Sequence, residues 1–185
     1  MKRVCIALAA SLGVFAVGTA IPIASGTRIV TVEDRCDPAT FNEAVRPGTC
    51  VGSGNVLFSE LAAELNPVDF GHDAWRFNFG RARVERGETL RAKNEGGEFH
   101  TFTEVAQFGG GCVDELNAPL GIETQVPECL DKVTLPVVGE VPRAFLTTGV
   151  NPGASRDIAG LDKAGTHHKF QCLIHPWMRV EVDVR

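Results

Sequence analysis

Lys169-Phe170-Gln171-Cys172-Leu173-Ile174-His175-Pro176-Trp177-Met178-Arg179 is the stretch on which the reading of this 185-residue chain turns. Within seven residues it offers a thiol, an imidazole and a thioether, at Cys172, His175 and Met178. A cysteine at the end of a strand, followed by a short loop kinked at Pro176, can fold His175 and Met178 back around one ion. A further ligand must come from a neighbouring strand. His100, in His100-Thr101-Phe102-Thr103, is the available one.

Two His, one Cys and a weak axial Met make up the ligand set of a blue-copper electron-transfer site: the sulfurs suit Cu(I), and the imidazoles also accept Cu(II). Zinc is the sharper rival, because Cys and His ligands suit it too, but a thioether adds little for zinc. Met178 and the initiator are the two methionines of the chain. Cys172 as a plain buried hydrophobe is the blander alternative.

The rest of the cysteine count agrees. Beyond Cys5 the chain holds Cys36, Cys50, Cys112, Cys129 and Cys172, an odd number. Four can pair in three ways, leaving one to stay free, bind metal or join another chain. Cys36–Cys50 with Cys112–Cys129 is the simplest pairing, since both close Pro- and Gly-containing segments. A loop of that size gains on the order of 3 kcal/mol from closure. Cys172 is then left over.

Disulfides need an oxidising compartment, and the first residues supply an address. Lys2 and Arg3 precede an uncharged apolar run from Val4 to Val17, followed by small residues at Thr19 and Ala20. This reads as a secretory signal over residues 1–25, cleaved after Ala20 or slightly later. The run is short for roughly 30 Å of hydrocarbon, which disfavours an uncleaved anchor, and nothing else in the chain is apolar enough to span. Cys5 reads as one more apolar residue of the signal rather than a lipid attachment site. Loss of Lys2 and Arg3 leaves 16 basic against 23 acidic side chains, a balance of −7. A nucleic-acid partner held on a basic face is therefore not expected.

Outward from the loop, the chain reads as many short strands. Arg28–Val32, the alternating Trp75–Phe79, Arg81–Arg86, Thr89–Asn94, Glu98–Val105, Ser155–Leu161, Thr166–Cys172 and Arg179–Val184 carry strand signatures. Arg86-Gly87-Glu88 reads as a tight turn. Phe58–Leu65 has a helical face, with Ser59 as its start. Residues 107–151, with Gly109-Gly110-Gly111, four prolines and two cysteines, read as a long stapled insertion without regular structure. The fold class expected is all-β, a sandwich or barrel. His168 lies roughly 13 Å along an extended strand from Cys172, too far to join its ion. His167 faces the other way, and His72 falls in a Gly/Asp loop expected to be solvated.

The Cys172-x2-His175-x2-Met178 loop, with Gly165-Thr166 before it, resembles the ligand loop of small cupredoxins of the amicyanin and plastocyanin group. Gly87-Glu88-Thr89-Leu90, Asn94 and His100-Thr101-Phe102 resemble that family's stretch carrying the first histidine ligand. The resemblance spans residues 75–94, 98–103 and 155–184. It implies a Greek-key β-sandwich with one type 1 copper: His100, Cys172 and His175 as strong ligands and Met178 as the long axial one. It also implies outer-sphere electron transfer to a partner protein, with Pro176 and Trp177 as the apolar rim of a His175 electron exit. Thr101 stands where many relatives have the Asn or Ser that ties the ligand loops together, and its hydroxyl is the available replacement.

The organisation expected is a signal at 1–25, an N-terminal extension at 26–73 with a short helix and one disulfide, and a copper domain at 74–185 that includes the 107–151 insertion. The protein is expected to be an exported monomer, periplasmic or extracellular, carrying single electrons to a redox partner. A copper carrier that hands its ion to an acceptor uses the same ligands. A disulfide-stapled binding module is the reading without metal. Copper oxidase or nitrite reductase chemistry needs further histidine-rich centres, and there is no His-x-His pair, so catalysis is not expected.

Overall fold

The computed structural model describes residues 26–185; the signal read over 1–25 lies outside the described residues. In chain order the strands are β1 (Thr27–Glu33), β2 (Arg76–Phe77), β3 (Arg81–Val84), β4 (Thr89–Asn94), β5 (His100–Thr101), β6 (Thr103–Glu104), β7 (Lys132–Leu135), β8 (Gly139–Pro142), β9 (Gly149–Val150), β10 (Ser155–Ile158), β11 (His167–Gln171) and β12 (Arg179–Val184). Two four-stranded sheets, ordered β10-β4-β1-β2 and β3-β12-β11-β6, form the sandwich, and β5-β9 and β7-β8 are separate two-stranded ladders.

The sheets face each other because their sequences alternate. Val180, Val182 and Val184 of β12 are buried while Arg179, Glu181 and Asp183 between them are not, and β4 buries Leu90 and Ala92 in the same way. Val30 and Val32 of β1 meet these residues in one core with Ala82, Val84 and Phe170. Phe102 and Phe170 stack there at 4.6 Å. Each fully buried valine contributes about 1.5 kcal/mol or more from apolar area removed from water.

Several expected elements are shorter or connect differently. The alternation in Trp75–Phe79 yields strand only at Arg76–Phe77. The Asn78 carboxamide takes the Thr31 N–H, and Phe79 turns out to 41% exposure. The Arg86-Gly87-Glu88 turn, with Gly87 at φ 84°, does not close a hairpin. It passes the chain from β3, which pairs in parallel with β12, to β4, which pairs with β1 and β10. The stretch 98–105 divides into β5 and β6 at Phe102.

The N-terminal segment, read as an extension, supplies an interior strand: β1 lies between β4 and β2, parallel to the first over six residue pairs. It also carries two short helices rather than one. In α1 (Pro38–Ala44) the Asp37 carboxylate accepts the Thr40 N–H at 2.8 Å and Pro38 opens the first turn, a strong start signal that the sequence reading passed over. In α2 (Phe58–Glu64) the helix begins one residue earlier than expected, with the Glu60 carboxylate accepting the Leu57 N–H.

The 107–151 segment is more regular than expected. It folds α3 (Asp114–Asn117), the β7–β8 hairpin and α4 (Arg143–Thr148), and its end forms β9 against His100 and Thr101. Disulfides join Cys36 to Cys50 and Cys112 to Cys129, and Cys172 is a buried free thiol. No helix among the described residues is long and apolar enough to cross a membrane.

Val182 sits at the centre of the sandwich on β12, the strand that follows the ligand loop. Val182→Ala is expected to lower the unfolding free energy by about 2 kcal/mol, from lost transfer energy and a residual cavity. Urea unfolding should show a lower midpoint with an unchanged slope; an unchanged midpoint would place Val182 outside the packed core.

Candidate metal centre

β11 and β12 are antiparallel neighbours, with Gln171 opposite Arg179, so residues 172–178 form the connection between them at one end of the sandwich. Two backbone hydrogen bonds fold that connection back on itself. The Met178 N–H donates to the His175 carbonyl at 3.0 Å, and the Cys172 N–H donates to the Met178 carbonyl at 3.0 Å. Arg179 locks the outer side: its Nε donates to the Pro176 carbonyl at 2.7 Å, and its guanidinium lies over the rings of Phe70 and Phe108.

His100 enters from β5, which the β9 ladder holds in place. Its Nδ1 lies 3.7 Å from the Cys172 sulfur, and the His175 Nδ1 lies 3.9 Å from the same atom. All three donor atoms fall within 4.8 Å of one another, and all three residues are buried, His175 being 3% exposed. Met178 is buried on the same loop, next to the core. Two borderline nitrogens and one soft sulfur, converging in an enclosed site, fit a copper or zinc ion by donor type.

Thr101 lies between the two ligand-bearing segments. Its hydroxyl oxygen accepts the Leu173 N–H at 2.8 Å, and its own N–H points at the Cys172 sulfur at 3.5 Å. Thr103 donates to the Thr101 hydroxyl at 3.1 Å. The strand carrying the first histidine and the loop carrying the cysteine are thus joined through one residue.

Both imidazoles present their second nitrogen to a carboxylate. His100 Nε2 lies 2.9 Å from Asp34 Oδ2, both side chains being fully buried. His175 Nε2 lies 3.6 Å from Glu98 Oε2, which accepts the Trp75 indole N–H at 2.5 Å. The sequence reading missed Asp34 and Glu98. The one available signal was weak: an acid just after the strand read at 28–32, and another two residues before His100. Asp34 and Glu98 also lie beside Cys36, but that sulfur is bonded to Cys50 and offers no thiolate for a second ion.

The site carries charge in a dry place. Burial pushes the Cys172 thiol up, but the hydrogen bonds and charges of His100 and His175 outweigh it and hold the thiol well below its ordinary value. Burial likewise pushes His100 down, and Asp34 and the Cys172 sulfur override it to bring the imidazole up to about 10. Asp34 is pushed up by burial and held down more strongly by His100 and by the Glu98 and Gly97 N–H groups, to about 2. Burial raises Glu98, and His175 and Trp75 offset this only in part.

The expected exit rim is built differently. Pro176 is buried and Trp177 half-buried. Trp75 covers the His175 edge, 6.3 Å from its ring, and Phe41 of the N-terminal segment stacks on Trp75 at 5.6 Å. Trp177 packs edge-on to His175 at 5.3 Å and donates to the Trp75 carbonyl. His72, expected to be solvated, is only 10% exposed in its side chain, contacts Glu64 at 3.2 Å and packs on Trp75. His167 and His168 pair with Asp183 and Glu104 on the second sheet and belong to neither metal-ligating group found among the described residues.

Thr101→Val is expected to cost about 1–3 kcal/mol, because the buried Leu173 N–H loses its acceptor; Thr101→Ser should restore most of it. Equilibrium unfolding of the two variants decides. A loss in Thr101→Ser with none in Thr101→Val would assign the effect to the methyl group and not to the hydroxyl.

No family model matches the chain, and no curated protein matches it either. Solved structures similar to it include a purple cupredoxin from Nitrosopumilus maritimus, at 15% identity over 65% of this chain and 95% of that one, with a TM-score of 0.38. Plastocyanin from Dryopteris crassirhizoma is similar at 11% identity over 85% of this chain and 100% of that one, TM-score 0.37. Amicyanin from Paracoccus versutus is similar at 16% identity over 67% and 88%, TM-score 0.34. With two facing four-stranded sheets and a Cys-His-Met loop between adjacent strands at one end, the chain has a cupredoxin-like fold.

Proposed function

We propose that this chain is an exported copper protein that carries single electrons, with one type 1 copper held by His100, Cys172, His175 and Met178. The observation that carries the reading is the enclosed His100–Cys172–His175 group, whose three donor atoms lie within 4.8 Å of one another. When bound, copper supplies a one-electron couple between Cu(II) and Cu(I). The protein's part is to hold the donors still. Thr101 ties Cys172 to the His100 strand, Arg179 pins the loop at Pro176, and the two carboxylates face the outer nitrogens of the rings. Donors that do not rearrange between oxidation states keep the reorganisation on electron transfer small.

Burial also supports the electron carrier over a copper carrier. A protein that hands over its ion benefits from a ligand an acceptor can reach. Here the thiol and both imidazoles are covered. An electron needs only a contact path, and His175 touches Trp177, which reaches a groove lined by Phe70, Asp73 and Arg76. In this reading the redox partner docks over Trp177. Export is supported by the basic start and apolar run of the first residues and by the two disulfides, which persist in oxidising compartments.

Adding Cu(II) to the purified protein should produce an intense visible thiolate-to-copper band, and Cys172→Ser should abolish it while leaving both disulfides intact. A protein that stays colourless with copper bound would overturn the type 1 assignment. Trp177→Ala should slow electron self-exchange without changing the spectrum; an unchanged rate would move the exit elsewhere.

A further inference from the structure

We infer that Asp34, from the N-terminal segment that sequence reading sets apart from the metal domain, is the positioning residue of the metal centre: it fixes His100 with Nε2–H outward and the Nδ1 lone pair toward Cys172. The inference rests on the metal-binding reading above for its context, and on the surroundings of one carboxylate for its content.

Asp34 is hydrogen-bonded to three backbone donors and one imidazole, with the Glu98 carboxylate nearby but not bonded to it. Oδ1 accepts the Gly97 N–H at 3.0 Å and the Cys36 N–H at 3.2 Å. Oδ2 accepts the Glu98 N–H at 3.0 Å and faces His100 Nε2 at 2.9 Å. Three of the four donors are backbone groups that cannot reverse polarity. The fourth partner, the imidazole, is the only group that can adapt, and beside an acceptor-only carboxylate it does so by placing its hydrogen on Nε2. With Nε2–H engaged by Asp34, Nδ1 is the nitrogen that gives up its proton and offers its lone pair when an ion enters beside the Cys172 sulfur. A ligating histidine held by a carboxylate on its other nitrogen is both oriented and made a stronger donor.

The surroundings are shaped for this role. Gly96 lies so close to Asp34 Oδ2 that no side chain fits there, and Asn94 fastens the same turn by accepting the Gly96 N–H and donating to the Glu98 and Val150 carbonyls. The Cys36–Cys50 disulfide begins two residues after Asp34 and anchors the segment that delivers it.

An amide cannot replace the carboxylate. In Asp34→Asn the NH2 group must face either the backbone N–H pair or His100. Facing the backbone, it orphans buried donors; facing His100, it turns the imidazole so that Nδ1–H blocks the ion. The expected result for a folded Asp34→Asn is a tenfold to hundredfold loss of zinc and copper affinity. Because the carboxylate favours Cu(II) over Cu(I), the variant should also have a higher reduction potential. Each tenfold difference between the two oxidation states corresponds to about 59 mV.

The experiment pairs this variant with nitrogen-15 NMR of the imidazoles in the zinc-loaded wild-type protein, which needs neither copper nor a variant that folds. A protonated His100 Nε2 with slow solvent exchange is the expected signature. A deprotonated Nε2, or one exchanging at the rate of free imidazole, overturns the assignment, as does a folded Asp34→Asn with unchanged affinity and potential. If copper gives no thiolate band but the zinc-loaded signature is present, the copper reading fails and Asp34 keeps its role.

Discussion

A sulfur that is to carry negative charge in the interior must be met there by positive charge, and most of this molecule is arranged around that requirement. Cys172 is buried completely, and an isolated thiolate in such a place is heavily penalised. The His100 imidazole, 3.7 Å away, supplies the positive charge, and the His175 ring nitrogen lies 3.9 Å from the same sulfur. Both rings in turn are buried, so each needs a partner of its own, and Asp34 and Glu98 provide it. The chain of compensation then reaches the backbone: Gly97, Glu98 and Cys36 donate to Asp34, and Trp75 donates to Glu98. Such networks are stable only when every member is satisfied, and none of the fully buried side-chain polar atoms in this group lacks a hydrogen bond.

How far the residues themselves announced this can be judged element by element. Cys172 and His175 were readable because their residue types are tied to a chemistry at a spacing that a short loop can close; His100 was the available imidazole on a neighbouring strand, and Thr101 entered only through the family resemblance. The strand at Arg179–Val184 was readable because period-2 alternation is a local property. Asp34 and Glu98 were not, since an acidic residue looks the same in sequence whether solvated or enclosed. Their meaning comes from β1 lying parallel to β4, which brings residue 34 beside residues 97 to 100. Parallel pairing across some sixty residues leaves no local trace. The same holds for the cover over His175: Trp75 reads as an ordinary strand aromatic until Phe41 and Glu98 are placed against it.

The N-terminal segment and residues 107–151 both bear on the candidate metal centre. From the N-terminal side come Asp34 and Phe41, which stacks on the Trp75 cover. From the 107–151 side, the Cys112 N–H donates to the Leu173 carbonyl at 2.5 Å, and the Gly111 backbone runs so near that an added Cβ would sit 2.5 Å from the same oxygen. The disulfides start within two residues of these contacts, at Cys36 and at Cys112. A staple restrains most strongly the residues next to it. Placed there, the two bridges limit the freedom of the segments that bear on the candidate metal centre.

This clamping has a consequence for access. A half-exposed histidine edge gives a partner direct reach to the ion, and it also gives water and competing ligands that reach. In this chain His175 is enclosed, and the contact that leads outward is Trp177, itself tied to Trp75 by a hydrogen bond. An electron can cross one aromatic ring in van der Waals contact, whereas an ion or a chelator cannot pass it without displacing the cover. Under the proposed function, closing the edge with indole rings would separate the two kinds of traffic, keeping a route for electrons while shutting the route for metal exchange.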